Sequence, residues 1–130
     1  MTLLHRQISS HYQRDKRPAW HAFKPRDGED LQLSVNCGKQ VTAEAAYQAY
    51  VARTNPKGKK LQSDGVMSVL RAECAELSRP VTADPLPSDP SHTLIGFTDL
   101  DDAGLIAAAI NLYEYARARG WEYQPATQAA

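Results

Sequence analysis

Apolar and polar residues alternate most regularly at Leu31-Gln32-Leu33-Ser34-Val35-Asn36-Cys37, the period-2 pattern of a strand with one buried face. Gly38 ends this run. Thr42 then offers a capping oxygen, and Glu44 puts negative charge where a helix dipole favours it. These signals predict a helix from Ala43 to about Arg53, with Ala46, Tyr47, Tyr50 and Val51 on one face. A second, longer helix is predicted near the C-terminus, where Leu105, Ile106, Ala109, Leu112, Tyr113 and Ala116 recur at helical spacing. Thr98 or Asp99 caps it, Asp101 and Asp102 fill its first turn, and Arg117 and Arg119 its last. Gly120 is placed to stop it.

Shorter apolar segments read as strands at Leu3–Ile8, Val66–Leu70 and Thr93–Phe97, and Glu73–Leu77 as a short helix. Pro18–Phe23 reads as a strand or as an irregular segment pinned by Trp20 and Phe23. Polar loops are predicted at Ser9–Pro18, at Pro25–Asp30 around Asp27-Gly28, and at Asn55–Asp64, the last being the candidate mobile loop. Pro80, Pro85, Pro87 and Pro90 make residues 80–92 an extended, ordered loop laid across the domain, neither helix nor central strand. The elements do not alternate strictly, so the fold class is α+β: a small mixed or antiparallel sheet of 3–5 strands with two main helices. The C-terminal helix (about 100–119) is expected to pack on that sheet. Residues 1–121 are read as a single domain and 122–130 as a frayed tail.

A chain of 130 residues, 42% hydrophobic and 23% charged, has enough apolar residues for one core without disulfides or metal. The run Leu105–Ile110 is too short to span a membrane, and His5-Arg6 follows too early for a signal peptide, so a cytoplasmic protein is expected. Cys37 and Cys74 make no Cys-x-x-Cys pair and read as small buried hydrophobes. The 15 basic and 15 acidic residues are unevenly placed: the first half of the chain is basic, the second acidic. That polarity suits charge-complementary docking or an anionic partner.

The phosphate-loop, dinucleotide, His-Glu-x-x-His and Gly-x-Ser-x-Gly motifs are absent from the sequence. His5, His11, His21 and His92 fall outside metal-ligand spacing, so neither metal nor cofactor is expected. The candidate catalytic residues are His5, Arg6, Ser34, Asp84 and His92. Neighbours His5 and Arg6 point to opposite faces of a strand, and an inward arginine needs a carboxylate or an anion. One structural expectation is that Arg6 or His5 bridges to Asp84. The prolines between Asp84 and His92 stiffen a loop carrying an acid and a base, as general acid–base chemistry requires.

Leu3-Leu4-His5-Arg6-Gln7-Ile8, Arg17–Phe23, Leu33-Ser34-Val35 and Asp84–His92 together resemble segments shared by a group of short bacterial proteins. The resemblance implies a shared fold and brings no activity with it. That group usually has two serines where this chain has Ala19-Trp20, which argues against a catalytic serine there. The order of an early arginine, a strand serine and a later acid is similar to that of some ADP-ribosyltransferase-like folds. By that likeness Arg6 holds phosphate, and Asp84 or Glu73 with His92 handles protons. The leading expectation is a protein–protein interaction module with partner-binding candidates Tyr12, Trp20, Arg14, Lys16 and Arg17; Phe23 and Trp121 are also aromatic anchors in type but are expected in the core. The alternatives are a small enzyme binding an anionic, nucleotide-like ligand and a nucleic-acid-binding domain using Arg14, Lys16, Arg17, Lys57, Lys59 and Lys60.

Overall fold

A computed structural model describes residues 1–9, 13–14, 17–25 and 31–125. Its strands are β1 (Leu3–Gln7), β2 (Gln13–Arg14), β3 (Arg17–Pro18), β4 (Gln32–Cys37), β5 (Val66–Leu70), β6 (Val81–Ala83), β7 (His92–Gly96) and β8 (Trp121–Tyr123). The helices are α1 (Ala43–Val51), α2 (Arg71–Glu76) and α3 (Asp102–Arg119), and Trp20–Phe23 forms a 3-10 turn. Six strands make one antiparallel sheet in the order β6-β7-β4-β1-β5-β8, while β2 and β3 pair separately. The fold is therefore α+β with the C-terminal helix on the sheet, as the pattern predicts. The sheet is wider than the expected 3–5 strands. The two additions, β6 and β8, hold only three residues each, too few to display alternation.

The two faces of the sheet are covered unequally, and the strand sequences explain how. Leu4, Leu33, Val35, Met67, Val69 and Ile95 project from one face into the main core. There they meet Leu105, Leu112 and Ala116 of α3 together with Phe23 of the 3-10 turn. Alternation places His5, Gln7, Ser34, Asn36 and His92 on the other face, as the pairings His5↔Asn36 and Asn36↔His92 require. Here α1, nine residues and about 14 Å long, packs mainly on β1, β5 and β8. Val66 to Val69 of β5 are accordingly buried on both faces, whereas β4 alternates half-buried with buried. The polar side of β4 and β7 is covered less, with only the C-terminal end of α1 reaching the edge of the space above it.

Thr42 caps α1 as predicted, accepting from the Ala45 N–H at 3.1 Å. For α3 the cap is Asp101, which accepts from the Gly104 N–H at 2.8 Å, rather than Thr98 or Asp99. Asp99 is instead held by Arg79, whose guanidinium is buried beneath Phe97 and also donates to the Gly96 carbonyl. Ile106, expected on the buried stripe, is 38% exposed, and Ala108 takes its place beside Leu105. Gly120 has φ +85, the positive value expected at the helix end. Trp121, Glu122 and Tyr123 then pair along β5, so regular structure continues past the expected boundary at residue 121.

Three irregular segments also resolve. Pro18 closes the β2–β3 pair, and the residues after it coil into the 3-10 turn with Ala22 and Phe23 buried. Residues 53–61 form a knot around Asn55, whose Oδ1 accepts from the Lys57 and Lys59 N–H groups, with Leu61 N–H donating to the Arg53 carbonyl. These bonds give the segment a defined local structure. The proline-rich stretch is a hairpin: β6 runs along β7 at the sheet edge, and Leu86 and Asp89 exchange backbone hydrogen bonds at the tip. It lies beside β7 and not across the domain, because its short turn returns the chain antiparallel at once. Asp27-Gly28 lies outside the described residues.

Candidate functional site

Between the polar side of the sheet and the end of α1 lies a cleft of about 300 Å³. It opens where β1 and β4 separate. These strands pair only at Leu4↔Cys37 and His5↔Asn36, while β1 pairs with β5 over its whole length. Beyond that point the Ser34 carbonyl accepts from Nη1 of Arg6 at 3.0 Å. Nε of Arg6 donates to the Ala22 carbonyl at 2.8 Å, so one guanidinium ties β4 to the 3-10 turn across the gap. His5 and Arg6, though on opposite faces of β1, both border the opening.

Ser34 projects from β4 into this cleft and His92 from β7 beside it. Nε2 of His92 is 3.1 Å from Oγ of Ser34. On the other side of the ring, Nδ1 is 3.0 Å from the Asp84 main-chain carbonyl and 3.1 Å from its carboxylate Oδ2. Both neighbours of Nδ1 are pure acceptors, so in the neutral ring Nδ1 carries the hydrogen and donates. Nε2 is then left with its lone pair toward Ser34, whose hydroxyl donates to it. The side chain of His92 is 15% exposed and that of Asp84 48%. A serine hydroxyl, an imidazole of the basic tautomer and a carboxylate therefore form one chain whose serine end faces the cleft.

The surrounding polar groups are also fixed. Nδ2 of Asn36 donates to Oδ1 of Asp89 and to Oγ of Ser91, each at 2.9 Å, joining β4 to the hairpin tip. Tyr50 and Arg53, at the end of α1, form the opposite wall, and the Arg53 guanidinium lies 5.3 Å from the centre of the Tyr50 ring. Gln7 borders the cleft with its Oε1 accepting from Ser63 and its Nε2 buried and unpartnered.

Of the candidate residues, His5, Arg6, Ser34 and His92 border one cleft, and Asp84 joins them through His92. The expected bridge from Arg6 or His5 to Asp84 is not formed. Two strands, β7 and β4, separate β6 from β1, so Asp84 is near His92 and not near the early guanidinium. His5 turns to Ser68, with Nδ1 2.7 Å from its hydroxyl, and burial lowers its pKa. Glu73 is occupied at the sheet's other end, pairing with Arg119 and accepting from the Leu70 N–H. Trp20 is half-buried and stacks on His21 with ring centres 4.0 Å apart. Tyr12, Lys16 and His11 lie outside the described residues, as do the side chains of Arg14 and Arg17. Sequence reasoning missed Gln7, Asn36, Tyr50 and Arg53. Only Asn36 carried a signal, sharing the polar parity of Ser34 on the alternating strand.

Among the described residues there is no cluster of three or more His, Cys, Asp or Glu able to hold a metal ion, and no helix long and apolar enough to cross a membrane. Compared with protein-family models, curated proteins and solved structures, the chain matches none.

Proposed function

We propose that this protein is a small enzyme that uses Ser34 as a nucleophile on a small polar substrate held in the cleft. The carrying observation is the chain of contacts from Ser34 Oγ to His92 Nε2 and from His92 Nδ1 to Asp84. In the reaction, Nε2 of His92 takes the Ser34 proton while Oγ bonds to an electrophilic acyl carbon or phosphorus. The same proton passes to the departing group, and a water molecule activated in turn by Nε2 releases the product from Ser34. Asp84 holds the ring in the required tautomer and balances its charge once protonated. Arg6 is a positioning residue: by holding the Ser34 carbonyl it fixes the backbone that carries the nucleophile. Two buried, unbridged thiols suit a reducing compartment such as the cytoplasm.

The test is covalent labelling with a fluorophosphonate, followed by mass spectrometry of the digested protein. Ser34 is expected to carry the adduct, His92→Ala to abolish it, and Ser34→Ala to remove the site. An unlabelled Ser34, or labelling indifferent to His92, defeats the proposal.

A second reading keeps the protein as a module acting with a partner protein. Ile106 and Ile110, 38% and 37% exposed and one turn apart on the outer side of α3, support it. A protein co-purifying with the native chain should be lost from an Ile106→Glu/Ile110→Glu variant that still labels at Ser34. Its retention removes this reading.

A further inference from the structure

We infer that the substrate of this cleft is a small organic anion, and that Arg53 binds its carboxylate or phosphate group. The inference rests on the reading of the cleft as an enzyme site and names the class of molecule that enters it. Among the described residues, the charged groups on the lining are the guanidinium groups of Arg6 and Arg53 and the carboxylate of Asp89. Arg6 is engaged by the Ala22 and Ser34 carbonyls, and Oδ1 of Asp89 by the amide of Asn36. Arg53 differs. Among the described residues its guanidinium has neither an ion-pair nor a hydrogen-bond partner, and lies only over the face of Tyr50.

Arg53 is half-buried, and a guanidinium partly stripped of water needs acceptors in return. Its position just beyond α1 gives the charge some support from the helix dipole, but no atom that accepts its N–H groups. Five donors in a planar fork suit the paired oxygens of a carboxylate or phosphate. Gln7 borders the same cleft, and its Nε2 is buried without a hydrogen-bond partner although Oε1 accepts from Ser63. A buried amide N–H in that state marks a place where an acceptor is missing. A volume of about 300 Å³ suits a ligand of mononucleotide size or smaller, not a folded partner. Held at Arg53, such an anion would extend along the cleft toward Ser34.

The test uses Ser34→Ala protein, so that binding is read without chemistry. Arginine Nε–H resonances are followed by NMR during separate titrations with inorganic phosphate and with acetate. A saturable shift at Arg53 is expected with at least one of them, and the anion that saturates first identifies the preferred group. Arg53→Gln should weaken binding about tenfold or more, and Arg53→Lys should recover part of it. No saturable shift at Arg53 with either anion, or equal affinity in Arg53→Gln, overturns the inference. Anion binding that persists while Ser34 resists fluorophosphonate would defeat the nucleophile proposal alone, leaving this one standing.

Discussion

Nε2 of His92 lies 3.1 Å from the Ser34 hydroxyl, a contact between residues 58 positions apart that the antiparallel register of β4 and β7 brings together. Asn36 and His92 stand opposite each other, so the imidazole reaches diagonally along the strand to Ser34. Every property of the proposed site that concerns proton transfer depends on what the other ring nitrogen does.

Asp84 offers that nitrogen two acceptors, one of them main-chain. Its carboxylate is half exposed, where ion pairs contribute little, and the carbonyl would still hold the tautomer after the charge is removed. Asp84→Asn should therefore slow fluorophosphonate labelling of Ser34 by less than about fivefold. Timed mass spectrometry measures this. A hundredfold loss would show that the main-chain carbonyl does not fix the ring.

His5 predicts a pH dependence. It is 3% exposed, and burial lowers its pKa from the ordinary 6.5, opposed by the charge of Glu122 and a backbone hydrogen bond at Val41. The unfolded chain therefore binds a proton more readily than the native one. Stability from the neutral ring is fully present above about 6.5 and falls as the pH drops toward the lowered native value. Melting temperatures measured from neutral to mildly acid pH should decline more steeply for the native protein than for His5→Asn. Parallel slopes would count against a neutral, buried His5.

Gly65 tests the edge of the sheet. It has φ +148, and a Cβ there would stand 2.5 Å from the Tyr123 carbonyl oxygen. Gly65→Ala should cost about 2 kcal/mol or more through backbone strain and the displacement of β8. Urea unfolding gives the number. A change below about 0.5 kcal/mol, the size of an ordinary surface substitution, would mean that β8 does not pack against Gly65.

Much of this arrangement was legible from particular residues. Gln32, Ser34 and Asn36 alternate with Leu33, Val35 and Cys37, which announces a strand with one open face. The nearly continuous apolar run Val66–Val69, broken only by Ser68, fits the strand covered on both sides. Thr42 and Gly120 marked helix ends because capping is local chemistry. The β6 and β8 strands escaped notice because three residues carry no period, and their pairing is set by neighbours distant in sequence. Ser34, Asp84 and His92 could each be singled out by type, but their contact depends on the tight turn at Leu86–Asp89, which sets the register of the hairpin. In the sequence Arg53 marks only the approximate end of the predicted helix. That no described residue accepts from it becomes visible only in three dimensions.

The most direct test of the central claim is the protonation state of one ring. Long-range ¹H–¹⁵N NMR of histidine-labelled protein at mildly alkaline pH reports which nitrogen of neutral His92 holds the hydrogen. The account predicts Nδ1–H, with Nε2 showing the shift of an unprotonated nitrogen that accepts from Ser34. A hydrogen on Nε2 would contradict it, because that ring could not accept the proton of the nucleophile.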